Sequence, residues 1–471
     1  MTTAEFRQYA HQLVDWMADY MENKEIYPVK PNVRPGDIKA QLPQAAPEQA
    51  ENFTQIFSDF KNIILPGMTH WQHPQFFAYF PTGASEPSIL AEMLASTLGA
   101  QCMIWLTSPA AEELEERMME WLRDALGLPQ SFTGVIQDSS SSATLVALLT
   151  AREARSQYQI NQSGFTGTER FRVYTSTQAH SSVDKDVKIA GLGIENLIKI
   201  EVDENFAMIP EALEAKIIHD VNNGYTPLCV VSTIGTTSST AIDPITAISN
   251  ICKKYNIWHH IDASYAGTAL ILPEFRWMSA GVEAVDSFVF NPHKWLLTNF
   301  DCSAYYVKDK QLLINTFSIL PEYLKTPEDK LVNNYRDWGI PLGRKFRALK
   351  LWFVLRAYGL EQLRNIIRNH ITWGQWLYHE IKNTPDFEIM APAPLNLVCF
   401  RYHPAAVNDE AELERLNTNL LQKLNNSGKI LLTQTKLNGK YVIRFVGGQH
   451  DLTLEDVKRG WELVKEYTRK I

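Results

Sequence analysis

The chain has 471 residues, 45% hydrophobic and 21% charged. That is a globular composition, which excludes disorder as the main state and sets a prior of about three domains or subdomains. Its 45 Lys and Arg against 53 Asp and Glu leave a net charge of −8 with no run of like charge, so no nucleic-acid surface is expected.

Taken in chain order, Thr2 and Glu5 have the spacing of a capping box. The helix it opens carries Phe6, Tyr9, Leu13, Met17 and Tyr20 on one apolar stripe. Five prolines between Pro28 and Pro47 then predict an extended strap, and Phe53, Ile56, Phe57, Phe60 and Ile64 mark a second amphipathic helix. Two helices and a strap enclose no core. Residues 1–85 are therefore expected to form an arm packed on another domain or a partner subunit.

Apolar runs at 171–176, 197–202, 228–234, 257–262, 285–290 and 302–307 read as strands, with amphipathic segments at 210–224 and 244–256 between them. This alternation predicts an α/β domain over 86–352, a mostly parallel sheet with helices on both faces. Residues 353–471 read as a small C-terminal α+β domain, with strands at 396–402 and 441–446 among long helices. Segment 316–344, with three prolines, two glycines and weak periodicity, reads as a long functional loop. No apolar stretch reaches the length of a membrane span, and the opening MTTAEFRQYAHQLVDW does not read as a signal peptide. Cys102, Cys229, Cys252, Cys302 and Cys399 include no C-x-x-C pair, so reduced thiols in the cytoplasm are expected.

No G-x-G-x-x-G follows a strand, and neither a Walker A motif nor a G-x-S-x-G elbow is present. His70 with His73, and His259-His260 near Asp262, are weak metal hints. Adjacent strand residues point to opposite faces, and no metal site is expected. A stronger constellation combines three features. Asp262 closes an apolar strand, Lys294 follows 32 residues later at the end of the next, and Ser139 to Ser142 run into a helical pattern. In a parallel sheet all three reach one edge. Singly, an Asp at a strand end is a turn former, a Lys after Pro-His is solvated, and a serine run is a cap. Jointly they suit pyridoxal phosphate: a lysine for the aldehyde, a carboxylate to keep the ring nitrogen protonated, and hydroxyls with helix N–H groups for the phosphate.

These residues lie in longer blocks: LPGMTHWQHPQFFAYFPT (65–82), VIQDSSSSATLVALL (135–149), QAHSSVDK (178–185), HHIDASYAG (259–267), SFVFNPHKWLLTNFDCSA (287–304) and NYRDWGIPLGRKFRALKLWFV (334–354). With them the chain resembles, almost end to end, the aromatic L-amino-acid decarboxylases, group II pyridoxal-phosphate enzymes of the aspartate-aminotransferase fold (fold type I).

The resemblance implies roles. Lys294 would bond the cofactor aldehyde and Asp262 would pair with the ring nitrogen. His180 would stack on the ring near the substrate carboxylate. Ser139, Ser141, Asn291 and His293 would build the phosphate pocket, with Ser140, Thr236 and Ser264 also against the cofactor. Trp71, Tyr79, Phe80, Pro81 and Thr82 would line an aromatic pocket that Gly343 keeps roomy, and Tyr335 on the long loop would help protonate Cα. The implied activity is release of CO₂ from Dopa, tyrosine, 5-hydroxytryptophan, tryptophan or phenylalanine by a cytoplasmic homodimer. Two alternatives stand beside it: an oxygen-dependent aldehyde synthase of the same family, disfavoured by intact His180 and Tyr335, and a degenerate binding protein. Three positions depart from the family's common spelling: Asp138 for Gly, Ser142 for Glu and Ser264 for Ala.

Overall fold

Seven strands pair into one sheet in the computed structural model, which describes residues 1–319, 327–328 and 331–470. The strands are β1 (Thr133–Gln137), β2 (Phe171–Ser176), β3 (Leu197–Ile200), β4 (Thr226–Thr233), β5 (Trp258–Asp262), β6 (Ser287–Phe290) and β7 (Ser303–Val307). Their order is β1-β7-β6-β5-β4-β2-β3. β2–β3, β2–β4, β4–β5 and β5–β6 pair in parallel, whereas β7 runs against both β6 and β1. All six runs expected in this region form strands. β1 has no counterpart among them, because its TGVIQ offers only two consecutive large apolar residues.

Burial along β4 explains the layering. Cys229 and Val231 pack with Val173, Leu148, Val183 and Val187, while Val230 packs with Tyr174, Leu213, Ile217 and Ile248 on the other face. Successive side chains alternate between faces, so covering both faces demands an apolar residue at every position. Each such side chain, fully buried, contributes about 1.5–3 kcal/mol.

The chain divides into two compact units. One comprises Thr82–Gln375 and Ala391–Cys399 and holds the seven-stranded sheet. The other comprises Met1–Pro81, Trp376–Met390 and Phe400–Ile471. In it the Thr3–Glu22 helix begins with the expected capping box and buries no residue. Trp16 packs against Phe57 and Phe60, and Tyr9 against Phe53, joining the two amphipathic helices by their rings. The strap is not extended throughout: Gly36, at φ +99°, caps a short helix Asp37–Gln41. A four-stranded sheet has the order β10-β11-β9-β8, from β8 (Phe387–Ile389), β9 (Leu397–Tyr402), β10 (Thr433–Leu437) and β11 (Lys440–Val446). Asn438 and Gly439, both at positive φ, close the β10–β11 hairpin.

Of the loop expected over 316–344, residues 320–326 and 329–330 lie outside the described residues. Arg344, its last residue, donates to Glu115 Oε1 (2.6 Å) and to the Ile136 carbonyl (2.8 Å), tying that end to β1. Beside that pair, burial pushes the Glu112 carboxyl up to about 8, and Glu115 adds to the shift against Arg344 and Arg336. The folded protein thus keeps a proton that the unfolded chain releases near the ordinary carboxylate value. Stability should fall as pH rises from about 4.5 towards 8 and flatten above that. Glu112→Gln should remove this slope, so urea unfolding should show the variant about 2 kcal/mol more stable at pH 8 and little changed at pH 5.

Candidate active site

Three chain segments meet at the sheet edge where the parallel strands end. β5 ends on Asp262, β6 leads into Asn291-Pro292-His293-Lys294, and β1 leads through Asp138 and Ser139 into the Ser140–Arg155 helix. Asn291 joins them. Its side-chain oxygen accepts hydrogen bonds from Ser140 Oγ (2.6 Å) and from Ser303 Oγ. Its backbone N–H donates to the Ser264 carbonyl (2.9 Å), and its own carbonyl accepts from the Lys294 N–H (3.0 Å). Ser264 in turn donates to Asp262 Oδ1 from its N–H (3.0 Å) and from its hydroxyl.

The lysine is held from both sides along the chain. Trp295, fully buried, stacks on Tyr265 at 4.7 Å and donates from Nε1 to His370 Nδ1 (2.9 Å), while Tyr265 donates to Asn396 (2.9 Å). His293 accepts the Cys302 N–H on Nδ1 (2.9 Å), and its carbonyl accepts the Gly83 N–H (2.9 Å). A Cβ on Gly83 would lie 2.7 Å from the backbone at Leu297 and Thr298, so only glycine allows this approach. Thr82 is thereby brought beside the lysine segment. Tyr265, Trp295, His370 and Asn396 escaped the sequence reading. The stacked pair lies within the quoted blocks, but an isolated His370 carries no local signal.

Desolvation dominates the electrostatics. Burial lowers the Lys294 pKa, with Asp262 pulling it back up, which favours the neutral amine that attacks an aldehyde. Burial also keeps His180 below its ordinary value, Asp262 raising it and Lys294 lowering it. The Ser182 N–H donates to His180 Nδ1 (3.2 Å), so the neutral ring carries its proton on Nε2. His293 is depressed to about 3 by burial and by Lys294. Asp186, which the sequence reading passed over, is pushed up to about 7 by burial and by Asp262.

Other expected site residues have different surroundings. Ser139 caps its helix by accepting the Ser142 N–H (3.2 Å), and its hydroxyl lies 3.4 Å from Asp138 Oδ1. Ser141, half-buried, stands in the first turn of the same helix. Thr236 is fully buried, and its hydroxyl accepts the Ala241 N–H (3.0 Å) to close its own turn. Tyr335 lies in a one-turn 3₁₀ helix, buried with Val135, Val289, Leu313 and Trp338 and with the Arg344 guanidinium 4.9 Å from its ring. Burial, with Glu115 and Glu116 nearby, lifts its phenol well above the ordinary value. Gly343 is exposed, and a Cβ there would meet Gln101 Nε2 at 3.2 Å. Trp71, Tyr79, Phe80 and Pro81 belong to the other unit, where Trp71 stacks on Tyr79 at 5.6 Å and Arg444 lies over the Phe80 ring. His259 turns to Ser232 and Ser249, and His260 to Thr144 and Ser287, on opposite faces of β5. His70 hydrogen-bonds Tyr20, and His73 accepts the Gln75 N–H.

A desolvated lysine, a buried carboxylate and a ring of hydroxyl, amide and imidazole groups at one sheet edge define an enzyme with a lysine-tethered pyridoxal cofactor, and the residues present fit that group. Residues 35–403 match the pyridoxal-dependent decarboxylase conserved domain. The chain is 42% identical to tyrosine decarboxylase 4 of Petroselinum crispum, covering 98% of this chain and 93% of that protein. It is also 42% identical to phenylacetaldehyde synthase of Arabidopsis thaliana, covering 99% and 96%. The crystal structure of Oryza sativa TDC with PLP and tryptamine superposes with a TM-score of 0.97 at 35% identity, covering 100% of this chain and 99% of that one. The chain belongs to the pyridoxal-dependent decarboxylase family; it is a carboxy-lyase dependent on pyridoxal phosphate.

Asn291 offers the sharpest test of this arrangement. Asn291→Ala strips the shared acceptor from two buried hydroxyls while leaving the backbone bonds in place. Cofactor affinity, read by equilibrium dialysis and visible absorption, should fall roughly tenfold or more.

Proposed function

We propose that this enzyme converts an aromatic L-amino acid to the arylalkylamine and CO₂, Lys294, Asp262 and His180 being the groups that touch cofactor or substrate. The observation that carries the reading is the pairing of a desolvated Lys294 with a buried Asp262 at one sheet edge. Pyridoxal phosphate, when bound, supplies the electron sink for the pair left behind by CO₂. Asp262 would hold a proton on the ring nitrogen. Lys294 would supply the amine that ties the cofactor. His180, neutral with its proton on Nε2, would cover the ring without adding a cation beside the substrate carboxylate. Ser139, Ser140, Ser141, Asn291 and His293 would hold the phosphate. Water-poor surroundings favour the charge-losing step.

The aromatic substrate class is supported by the similarity to tyrosine decarboxylase 4 and to the TDC bound to tryptamine. Thr82 and Gly343, in the unit that holds Lys294, are assigned to its ring. Tyr335 is left out of the reacting set, because its ring is engaged in the apolar cluster around Val135 and Trp338. A homodimer is supported by apolar surface: Phe6 and Val14 are exposed on the first helix, and Leu90, Leu94 and Leu98 form a stripe on the Glu86–Leu98 helix. A cytoplasmic location is supported by five cysteines that are all buried and free.

A second reading, oxygen-dependent conversion to the aldehyde, is favoured by the equal identity to phenylacetaldehyde synthase. A substrate panel separates the two. Decarboxylation yields amine and CO₂ without peroxide, whereas ammonia and hydrogen peroxide in step with aldehyde would establish the oxidative reading. Borohydride should fix the cofactor's visible chromophore onto Lys294, and Lys294→Ala should abolish both the fixation and turnover. Tyr335→Phe should leave the amine-to-aldehyde ratio unchanged while lowering the melting temperature slightly, since the hydroxyl sits among core residues.

A further inference from the structure

Asp262 is the carboxylate assigned to the cofactor's ring nitrogen, and the Ser264 side chain hydrogen-bonds to it directly. Ser264 stands two residues on, half-buried. Its backbone N–H donates to Asp262 Oδ1 at 3.0 Å, a contact any residue would keep. Its hydroxyl donates to the same oxygen, a contact alanine would lose. Its carbonyl accepts the Asn291 N–H at 2.9 Å, and the Asn291 carbonyl accepts the Lys294 N–H at 3.0 Å. One serine therefore links the carboxylate to the lysine segment.

One physical consequence follows. With Oδ1 held by two donors, the carboxylate is fixed in rotation and Oδ2 is presented to a ring nitrogen. We infer that Ser264 is a positioning residue for the cofactor, its hydroxyl orienting the Asp262 carboxylate. This rests on the assignment of Asp262 to the ring nitrogen.

The test is a double-mutant cycle on the holoenzyme without substrate, reading cofactor dissociation constant and the visible absorption spectrum in Ser264→Ala, Ser264→Thr, Asp262→Asn and Ser264→Ala with Asp262→Asn. Ser264→Ala should bind cofactor roughly tenfold more weakly with a displaced absorption band. Ser264→Thr, which keeps a hydroxyl, should recover most of both. In the Asp262→Asn background the serine change should cost nothing further, because the hydroxyl acts through the carboxylate. An equal loss in both backgrounds, or no loss in either, overturns the inference. Should Asp262→Asn itself leave affinity and spectrum untouched, the failure lies in the Asp262 assignment, and the role of Ser264 falls with it. Melting temperatures of the four apoproteins separate loss of cofactor contact from loss of fold.

Discussion

The site hangs on the acceptor capacity of Asn291. A single carboxamide oxygen takes two hydroxyl donors, one from the helix after β1 and one from β7, while the same residue's backbone binds the segments after β5 and before the lysine. Four stretches of chain are thus tied together through one residue. Buried hydroxyls need partners, and losing a shared acceptor would leave two of them unsatisfied at once. Because Asn291 itself caps the short Pro292–Trp295 helix, the node also sets where Lys294 leaves the sheet.

Around this node, burial does most of the chemical tuning. Lys294, His180 and His293 are all held towards their neutral forms, and Asp186 is held towards protonation. The environment discourages charge generally, and the Asp262 carboxylate lies buried within it. The two hydrogen bonds it receives at Oδ1 are then worth more than the same bonds in water. Bulky aromatic packing supplies rigidity: Tyr265 and Trp295 stack, and each also finds a buried polar partner. This frame positions the lysine backbone.

Much of the fold was legible in the residue pattern. The apolar runs of β2 to β7 are continuous because both sheet faces are covered, and continuity is what the eye detects. β1 was less visible, since TGVIQ has a Gly and ends on a Gln that donates to the Trp338 carbonyl. The β10–β11 hairpin had a signal in Asn438-Gly439 that the reading did not use. In the site, Asp262 stood out because it closes an apolar strand and Lys294 because it follows closely on the next. Thr236 and Tyr335 illustrate the limit of residue type: the hydroxyl of one closes a local turn with Ala241, whereas the ring of the other packs among neighbours far in sequence.

Strand periodicity, turn chemistry and the placement of reactive residue types are local properties, and the order of amino acids alone set them. It therefore determined the α/β class, the capped first helix and the family to which the chain belongs. Why Lys294 loses its charge easily and how Gly83 reaches His293 depend on groups far apart in sequence. Desolvation and hydrogen-bond geometry are sums over such neighbours, and only the folded chain brings those neighbours together.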